Sequence, residues 1–126
     1  MKQNITAVII CALILTGSYF SMHYTKNISE KILKTLSACE EEVVHENWDE
    51  ALSRMTISHG LWRKYRPRLA LFLPHRNLDE ISDLIVKVTS LIHQHEKNAF
   101  ITENKRLAAL VKDIGKSDTL TFANLF

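Results

Sequence analysis

Glycine and proline are scarce in this chain. Its 126 residues include 3 glycines and 2 prolines. So few breakers disfavour an architecture of strands and tight turns, and they favour helices. Three glycines also exclude the glycine-rich loop with which nucleotide-binding proteins hold phosphate.

The chain also lacks a large excess of either charge and lacks a cysteine pair suited to a disulfide. Its 16 Lys and Arg against 14 Asp and Glu give a net charge of +2, so bulk charge does not indicate nucleic-acid binding. Cys11 lies inside an apolar segment and Cys39 outside it, so Cys39 has no partner within a folded domain. We interpret Cys39 as a small buried residue rather than a reactive thiol.

An N-terminal segment without charged residues is the first pattern present. Residues 5–24 contain no Asp, Glu, Lys or Arg, and about 20 residues of helix match a hydrocarbon core of roughly 30 Å. We predict a transmembrane signal-anchor over residues 1–26. A signal peptide cleaved after Ser18 is the alternative, because the apolar run is short and ends in small residues. The aromatics in residues 19–24 favour the anchor, since they suit the membrane interface.

The sequence gives conflicting signals about the orientation of this segment in the membrane. Lys26, Lys31 and Lys34 follow it and favour a cytoplasmic C-terminus. A short N-terminal signal-anchor usually delivers the following domain outside the cytoplasm, however. We therefore predict a single-pass protein of the cell membrane with an extracytoplasmic domain over residues 27–126.

Apolar residues recur every three or four positions in four later stretches, which is the spacing of amphipathic helices. The four stripes are Ile28, Ile32, Leu36, Cys39 and Val43; Trp48, Leu52, Met55, His59 and Trp62; Leu78, Ile81, Leu84, Ile85, Val88, Leu91, Ile92 and His95; and Ala99 or Phe100, Leu107, Leu110, Val111 and Ile114. Short connections imply antiparallel neighbours, and isolated helices are unstable in water. We predict an all-α fold: a transmembrane helix followed by an antiparallel four-helix bundle or helical-hairpin domain.

Local signals predict where these helices begin and end. Asn47 and Asn77 are each followed three residues on by Glu, so each is the predicted N-cap of a helix. Pro67 is expected to end or kink the second helix near Tyr65. Gly115 is expected to lie just after the last helix and to precede an apolar C-terminal tail.

One basic cluster lies within residues 51–78, which contain no Asp or Glu. If the first helix extends about 30 Å away from the bilayer, the antiparallel second helix must run back toward it. The cluster is therefore predicted at the membrane-proximal end of the domain, where it faces lipid or merely solvates a helix end and offsets its dipole. Its members are Arg63, Lys64, Arg66, Arg68 and Arg76.

The sequence contains no recognisable catalytic or metal-binding pattern. His93 and His95 would point about 200° apart on a helix, so they cannot share one ion. His59 lies on an apolar stripe and reads as a core or boundary residue. There is no Cys-x-x-Cys, no His-Glu-x-x-His and no serine in a nucleophile elbow. We predict no enzyme, no cofactor and no metal.

The order of several short motifs resembles one bacterial family. The motifs are Asn47-Trp48-Asp49-Glu50-Ala51, Trp62, Phe72 followed by His75, Leu78-Asp79-Glu80-Ile81, and Asn124-Leu125-Phe126. Their order and spacing are similar to the family called domain of unknown function 4363, over nearly the whole chain. The resemblance implies a small, membrane-anchored helical protein of Firmicutes with an exported domain, and it implies no activity.

These observations lead to one functional prediction and one alternative. The prediction is a membrane-anchored, non-catalytic helical module that binds an integral membrane protein or envelope component, in contact with the lipid bilayer, with no nucleic acid and no small-molecule substrate. The alternative is a lipid-sensing module that uses the basic segment 63–76. The residues predicted to bind the partner are Trp62, Tyr65, Arg66, Arg68, Phe72 and His75.

Overall fold

The protein is built from four helices joined by short turns. The computed structural model describes residues 1–71 and 73–125, with side chains described throughout except at residues 21, 22 and 117–125. The helices are α1 (Lys2–Val44), α2 (Trp48–Leu69), α3 (His75–His93) and α4 (Lys97–Leu125). The predicted all-α class is confirmed, because the described residues contain no strand.

α1 is one unbroken helix of 43 residues. It contains both the charge-free segment and the first predicted stripe, so the expected boundary at residue 26 falls inside it. No proline occurs in this helix, and its one glycine, Gly17, precedes the junction. By length and composition α1 can cross a membrane: an 18-residue window has a mean hydropathy of 2.0 and is 0% buried.

A single apolar core joins the second half of α1 to the other three helices. All five residues of the first stripe are at most 3% exposed. The stripes of α3 and α4 are also buried, except that Leu91 and Leu110 are half-buried and His95 is exposed. Of the two candidates for the start of the α4 stripe, Phe100 is buried and Ala99 is exposed. The largest fully buried side chains are Trp62, Phe100, Ile32, Leu36, Met55, Leu69, Leu78, Ile81, Ile85, Ile92, Leu107 and Val43.

Two hydrogen bonds fix the pairing of α1 with α4. Ser29 Oγ donates to the carbonyl of Val111 over 2.8 Å, and Asn104 Nδ2 donates to the carbonyl of Leu36 over 3.2 Å. Residue numbers rise along α1 as they fall along α4, so the two helices run antiparallel. Periodicity did not predict the burial of Asn104, whose Oδ1 has no hydrogen-bond partner among the described residues.

α2 packs on α1 through small residues. Cys39 Sγ donates to the carbonyl of Ala51 over 3.2 Å, and Ser58 Oγ donates to Thr35 Oγ1 over 2.7 Å. Ala51 and Ser58 are fully buried, whereas Leu52, which the sequence places on the stripe, is half-buried. The buried face of α2 is thus rotated from the predicted one, because small side chains let the two backbones approach.

The turns after α1 and α3 share one backbone pattern. At the end of α1 the N–H of Glu46 bonds to the carbonyl of Val43, and the N–H of Asn47 bonds to the carbonyl of Glu42, both over 2.9 Å. This is a Schellman motif, which requires a left-handed residue after the C-cap. Glu46, with φ 60°, fills that position, and His95, with φ 55°, fills it after α3.

The helix starts differ in part from the capping patterns. α2 begins directly after Asn47 as predicted, but Asn47 makes no side-chain capping bond; its Nδ2 donates instead to Glu42 Oε2 over 3.1 Å. α3 begins at His75, two residues before the predicted N-cap Asn77. Pro74 occupies the N-cap position there, with extended φ −60° and ψ 135°. The proline ring fixes φ near this value, and the helix begins at the next residue.

Two predicted breakers lie within helices. Pro67 is inside α2, which continues to Leu69, because a proline in the last turn removes only one backbone hydrogen bond. Gly115 lies inside α4, which continues to Leu125. A Cβ at Gly115 would meet the Ser29 side chain at 3.4 Å, so this glycine serves the close approach of α4 to α1 rather than a helix end.

Candidate interaction site

The first half of α1 exposes an apolar surface. Its large apolar side chains between residues 5 and 20 are 47–67% exposed, where a core residue is almost fully covered. A continuous exposed apolar surface of this kind marks contact with a membrane or with another protein. The residues are Ile5, Val8, Ile9, Ile10, Leu13, Ile14, Leu15, Tyr19 and Phe20.

The end of α2 returns to α1 where the charge-free segment ends. Arg68 Nη1 donates to the Tyr24 hydroxyl over 3.1 Å, and the rings of Tyr24 and Tyr65 meet edge to face with centroids 6.3 Å apart. We call this the basal end of the domain: residues 24–31 of α1, residues 63–78 from α2 into α3, and residues 110–116 of α4. The predicted basic cluster lies here.

Tyr65 is the buried centre of the basal end. Its side chain is 8% exposed, and the ammonium groups of Lys31 and Lys64 lie 5.9 Å and 5.3 Å from its ring centroid. Both distances allow cation–π attraction. Tyr65 therefore positions basic side chains around itself, and little of its own surface is left for a partner.

Two arginines at the basal end contact groups on neighbouring helices. Arg66 forms an ion pair with Asp79 across the α2–α3 connection. The hydrogen bond with the Tyr24 hydroxyl, followed by electrostatic attraction to Tyr24, raises the pKa of Arg68 above its usual range. Arg68 is exposed, and like other arginines it is charged at physiological pH.

Trp62 lies in the interior, which corrects its assignment to a surface. It is 2% exposed, and its Nε1–H donates to Ser82 Oγ over 2.8 Å. An indole buried on all sides with a satisfied N–H joins α2 to α3. Periodicity had already placed Trp62 on the α2 stripe, and that assignment agrees with its burial.

The other predicted partner-binding residues are spread over the basal end. Arg66 is half-buried, while Arg68 and His75 are exposed. Phe72 lies outside the described residues. The prediction that these residues bind a partner stays a prediction, and among those that the structure describes the side chains with enough exposure to reach one are Arg66, Arg68 and His75.

The connection between α2 and α3 adds an exposed leucine that the sequence did not single out. Leu69 and Leu73 are buried, whereas Leu71 between them is 78% exposed. Leu71 therefore presents an apolar side chain to the surface just after α2, which ends at Leu69.

A second feature missed by the sequence is a groove between α1 and α4. Its volume is about 460 Å³. Lys26 contributes from α1, and Lys112 and Lys116 contribute from α4, one turn apart. The residues that line the groove are Lys26, Ser29, Glu30, Leu33, Lys112, Gly115 and Lys116. Because Lys26 and Lys116 are far apart in sequence, only the antiparallel pairing of α1 with α4 reveals the groove.

Cys39 is buried and protonated. It is 0% exposed, and burial, followed by the charges of Glu40 and Glu42, raises the pKa of its thiol to about 12. A backbone hydrogen bond from Met55 opposes this shift. Because the thiolate is the nucleophile and the metal ligand, this environment suits a structural cysteine.

The histidines do not converge. α3 ends at His93, and His95 lies in the following turn, where its ring stacks on Trp48 with centroids 4.7 Å apart and planes 3° from parallel. Among the residues whose placement is given, no group of three or more His, Cys, Asp or Glu side chains is arranged to hold a metal ion. His59 is half-buried on α2, at the boundary position that the sequence predicts.

Comparison with known proteins identifies one family model. The model described as "Domain of unknown function (DUF4363)" matches residues 19–125. No curated protein and no solved structure gives a significant match. The matched range starts near the end of the charge-free segment and includes the core, the basal end and the groove.

Proposed function

The chain belongs to the DUF4363 family, and from this premise we propose that it is a membrane-anchored, non-catalytic helical module that binds an integral membrane protein or an envelope component. In this proposal the charge-free segment crosses the cell membrane of a Firmicutes bacterium. The helices beyond it form an antiparallel four-helix bundle on the extracytoplasmic side. The family description names no activity, so the proposal depends on the geometry.

The continuity of α1 is the observation that carries the proposal. The same helix carries an exposed apolar surface before residue 20 and core residues from Ile28 onward. A continuous α-helix holds its two ends in a fixed relative position, because each backbone N–H bonds to the carbonyl four residues earlier and so joins successive turns. Once the first half crosses a bilayer, the basal end must lie at the bilayer surface.

The exposed and half-buried side chains at the basal end define the surface that a partner can reach. We call Arg66, Arg68, Leu71 and His75 the basal patch. Arginine and apolar side chains together are typical of the centres of protein interfaces. Because the patch lies beside residue 24 of α1, its partner must present a surface close to the membrane, as an integral membrane protein does.

Photo-crosslinking in native membranes tests this proposal. A photoreactive amino acid replaces Leu71 in the full chain, and the control carries it at Ile57, which is 51% exposed on α2 away from the basal end. We expect a protein adduct of defined mass from position 71 only, and its loss in the Arg68→Ala, His75→Ala variant. Equal adducts from both positions, or none from position 71, would contradict the proposal.

The alternative function is lipid sensing by the basic segment 63–76. The observation in its favour is that Arg63, Lys64, Arg68 and Arg76 are exposed at the end of the domain nearest the charge-free segment. Cations at this level are attracted to anionic lipids, and salt weakens that attraction. In the crosslinking experiment this alternative predicts lipid adducts at position 71 that decrease at high salt, and no protein adduct.

A further inference from the structure

The groove between α1 and α4 combines positive charge with open space. Lys26, Lys112 and Lys116 line it, and Glu30 is its one acidic lining residue, within a volume of about 460 Å³. None of the ion pairs in the described part of the chain uses any of the three lysines. Three ammonium groups against one carboxylate leave an excess of positive charge that suits an anion.

The floor of the groove is made by close approach of two backbones. A Cβ at Gly115 would lie 3.4 Å from the Ser29 side chain and 3.8 Å from the Lys26 Cα atom. The Ser29 hydroxyl donates a hydrogen bond to the carbonyl of Val111. A longer side chain at position 115 would fill the space, so glycine keeps the groove open beneath the lysines.

The groove lies at the level where lipid headgroups are expected. Lys26 comes two residues after the charge-free segment 5–24, and α4 brings Lys112 and Lys116 to the same level. We propose that this groove binds the phosphate of an anionic lipid headgroup. The inference rests on the membrane anchoring proposed above, but it uses residues different from the basal patch.

Lysine chemistry fits this ligand. Phosphate offers several acceptor oxygens, and lysine ammonium groups bind it as point charges without a fixed fork geometry. Arg66 and Arg68, in contrast, already contact Asp79 and Tyr24. The three groove lysines, unlike these two arginines, take part in none of the ion pairs or side-chain hydrogen bonds given for the described residues.

Nuclear magnetic resonance of the full chain can test the proposal. The chain has 3 glycines, so ¹⁵N-glycine labelling gives three amide signals: Gly17 in the apolar segment, Gly60 on α2, and Gly115 in the groove. In maltoside micelles, which contain no phosphate, we expect short-chain phosphatidylglycerol to shift the Gly115 signal and leave Gly60 in place. Short-chain phosphatidylcholine and inorganic phosphate serve as the other two ligands.

Charge variants distinguish binding in the groove from nonspecific attraction of anionic lipid to the positive charge of the protein. Lys112→Gln combined with Lys116→Gln should weaken phosphatidylglycerol binding roughly 30-fold, because each cation near an anionic lipid surface contributes a similar binding free energy and the variant removes two. The matched control is Lys34→Gln with Lys105→Gln, which removes the same charge from exposed positions outside the groove. That control should bind within about twofold of the original chain.

Each remaining outcome decides against the proposal. An unmoved Gly115 signal, equal binding by phosphatidylcholine, or equal weakening in both double variants would overturn it. A shift with inorganic phosphate at the same concentration would assign the site to a free anion instead of a lipid. If position 71 still gives its protein adduct while Gly115 does not respond, only the groove assignment fails.

Discussion

Arg68, in the last turn of α2, donates a hydrogen bond over 3.1 Å to the hydroxyl of Tyr24. Tyr24 is the last residue of the charge-free segment 5–24. This contact ties the returning end of α2 to the junction between the apolar half of α1 and its core half. The contact holds the basic segment beside that junction, and the position of the basal patch depends on it.

Replacing Trp62 should destabilise the folded domain rather than only weaken partner binding. Its side chain is 2% exposed and hydrogen-bonded to Ser82, and truncating a buried tryptophan costs about 3–5 kcal/mol. We expect Trp62→Ala to lower the free energy of unfolding by that amount in urea titrations of the full chain in micelles. Ile57→Ala, at an exposed position, should change it by no more than about 0.5 kcal/mol. An unchanged free energy of unfolding for Trp62→Ala would contradict the buried position of Trp62.

Stability should fall at alkaline pH because of Cys39. Burial raises the pKa of this thiol from 9.0 to about 12, so above pH 9 the unfolded chain loses a proton that the folded chain keeps. The stabilisation is complete below pH 9 and is lost as pH rises toward 12. We expect a loss of about 1 kcal/mol between pH 9 and pH 10.

The Cys39→Ala variant isolates this effect from other groups that titrate in the same range. Subtracting its free energy of unfolding from that of the original chain at each pH leaves the thiol contribution. The difference should shrink steadily above pH 9. Parallel curves for the two proteins would show that the thiol ionises equally in both states.

The glycines of α2 and α4 should respond differently to substitution. A Cβ at Gly60 meets nothing within 4 Å, so Gly60→Ala should raise the free energy of unfolding by about 1 kcal/mol through helix propensity. Gly115→Leu should lower it, because its side chain meets Ser29. Thermal unfolding followed by circular dichroism gives both values, and a stable Gly115→Leu variant would mean that α1 and α4 lie farther apart.

The two left-handed residues offer a matched pair. Glu46 and His95 have φ of 60° and 55°, a conformation that costs a non-glycine residue roughly 1 kcal/mol. Glu46→Gly should therefore stabilise the protein by about that amount. His95→Gly should be nearly neutral, because the same relief is offset by loss of the stack on Trp48. Equal gains in denaturant titrations would show that the stack contributes nothing.

Apolar periodicity predicted the helical class and most of the core. The stripe from Ile28 to Val43 and the stripe from Leu78 to Ile92 become buried faces because three-four spacing puts such residues on one side of a helix. The rotated face of α2 escaped this reasoning, since Ala51 and Ser58 carry no strong apolar signal. They are buried because small side chains allow close contact with α1.

Features that depend on tertiary contacts were harder to predict. Pro67 and Gly115 act as breakers in an isolated chain, but packing keeps α2 and α4 helical around them. The groove was missed because Lys26 meets Lys112 and Lys116 only through helix pairing. Trp62 was assigned to the partner-binding surface, although its place on an apolar stripe already indicated burial.

Depth measurement in a bilayer tests the central claim, that α1 carries the domain with its basal end at the membrane surface. A nitroxide replaces Leu71, and another replaces exposed Gln94 at the far end, about 30 Å away along the helices; Cys11→Ala leaves only buried Cys39. In vesicles, we predict that the label at 71 is shielded from a water-soluble nickel chelate and accessible to oxygen, while the label at 94 is fully accessible to the chelate. Equal chelate accessibility at both positions would contradict the account.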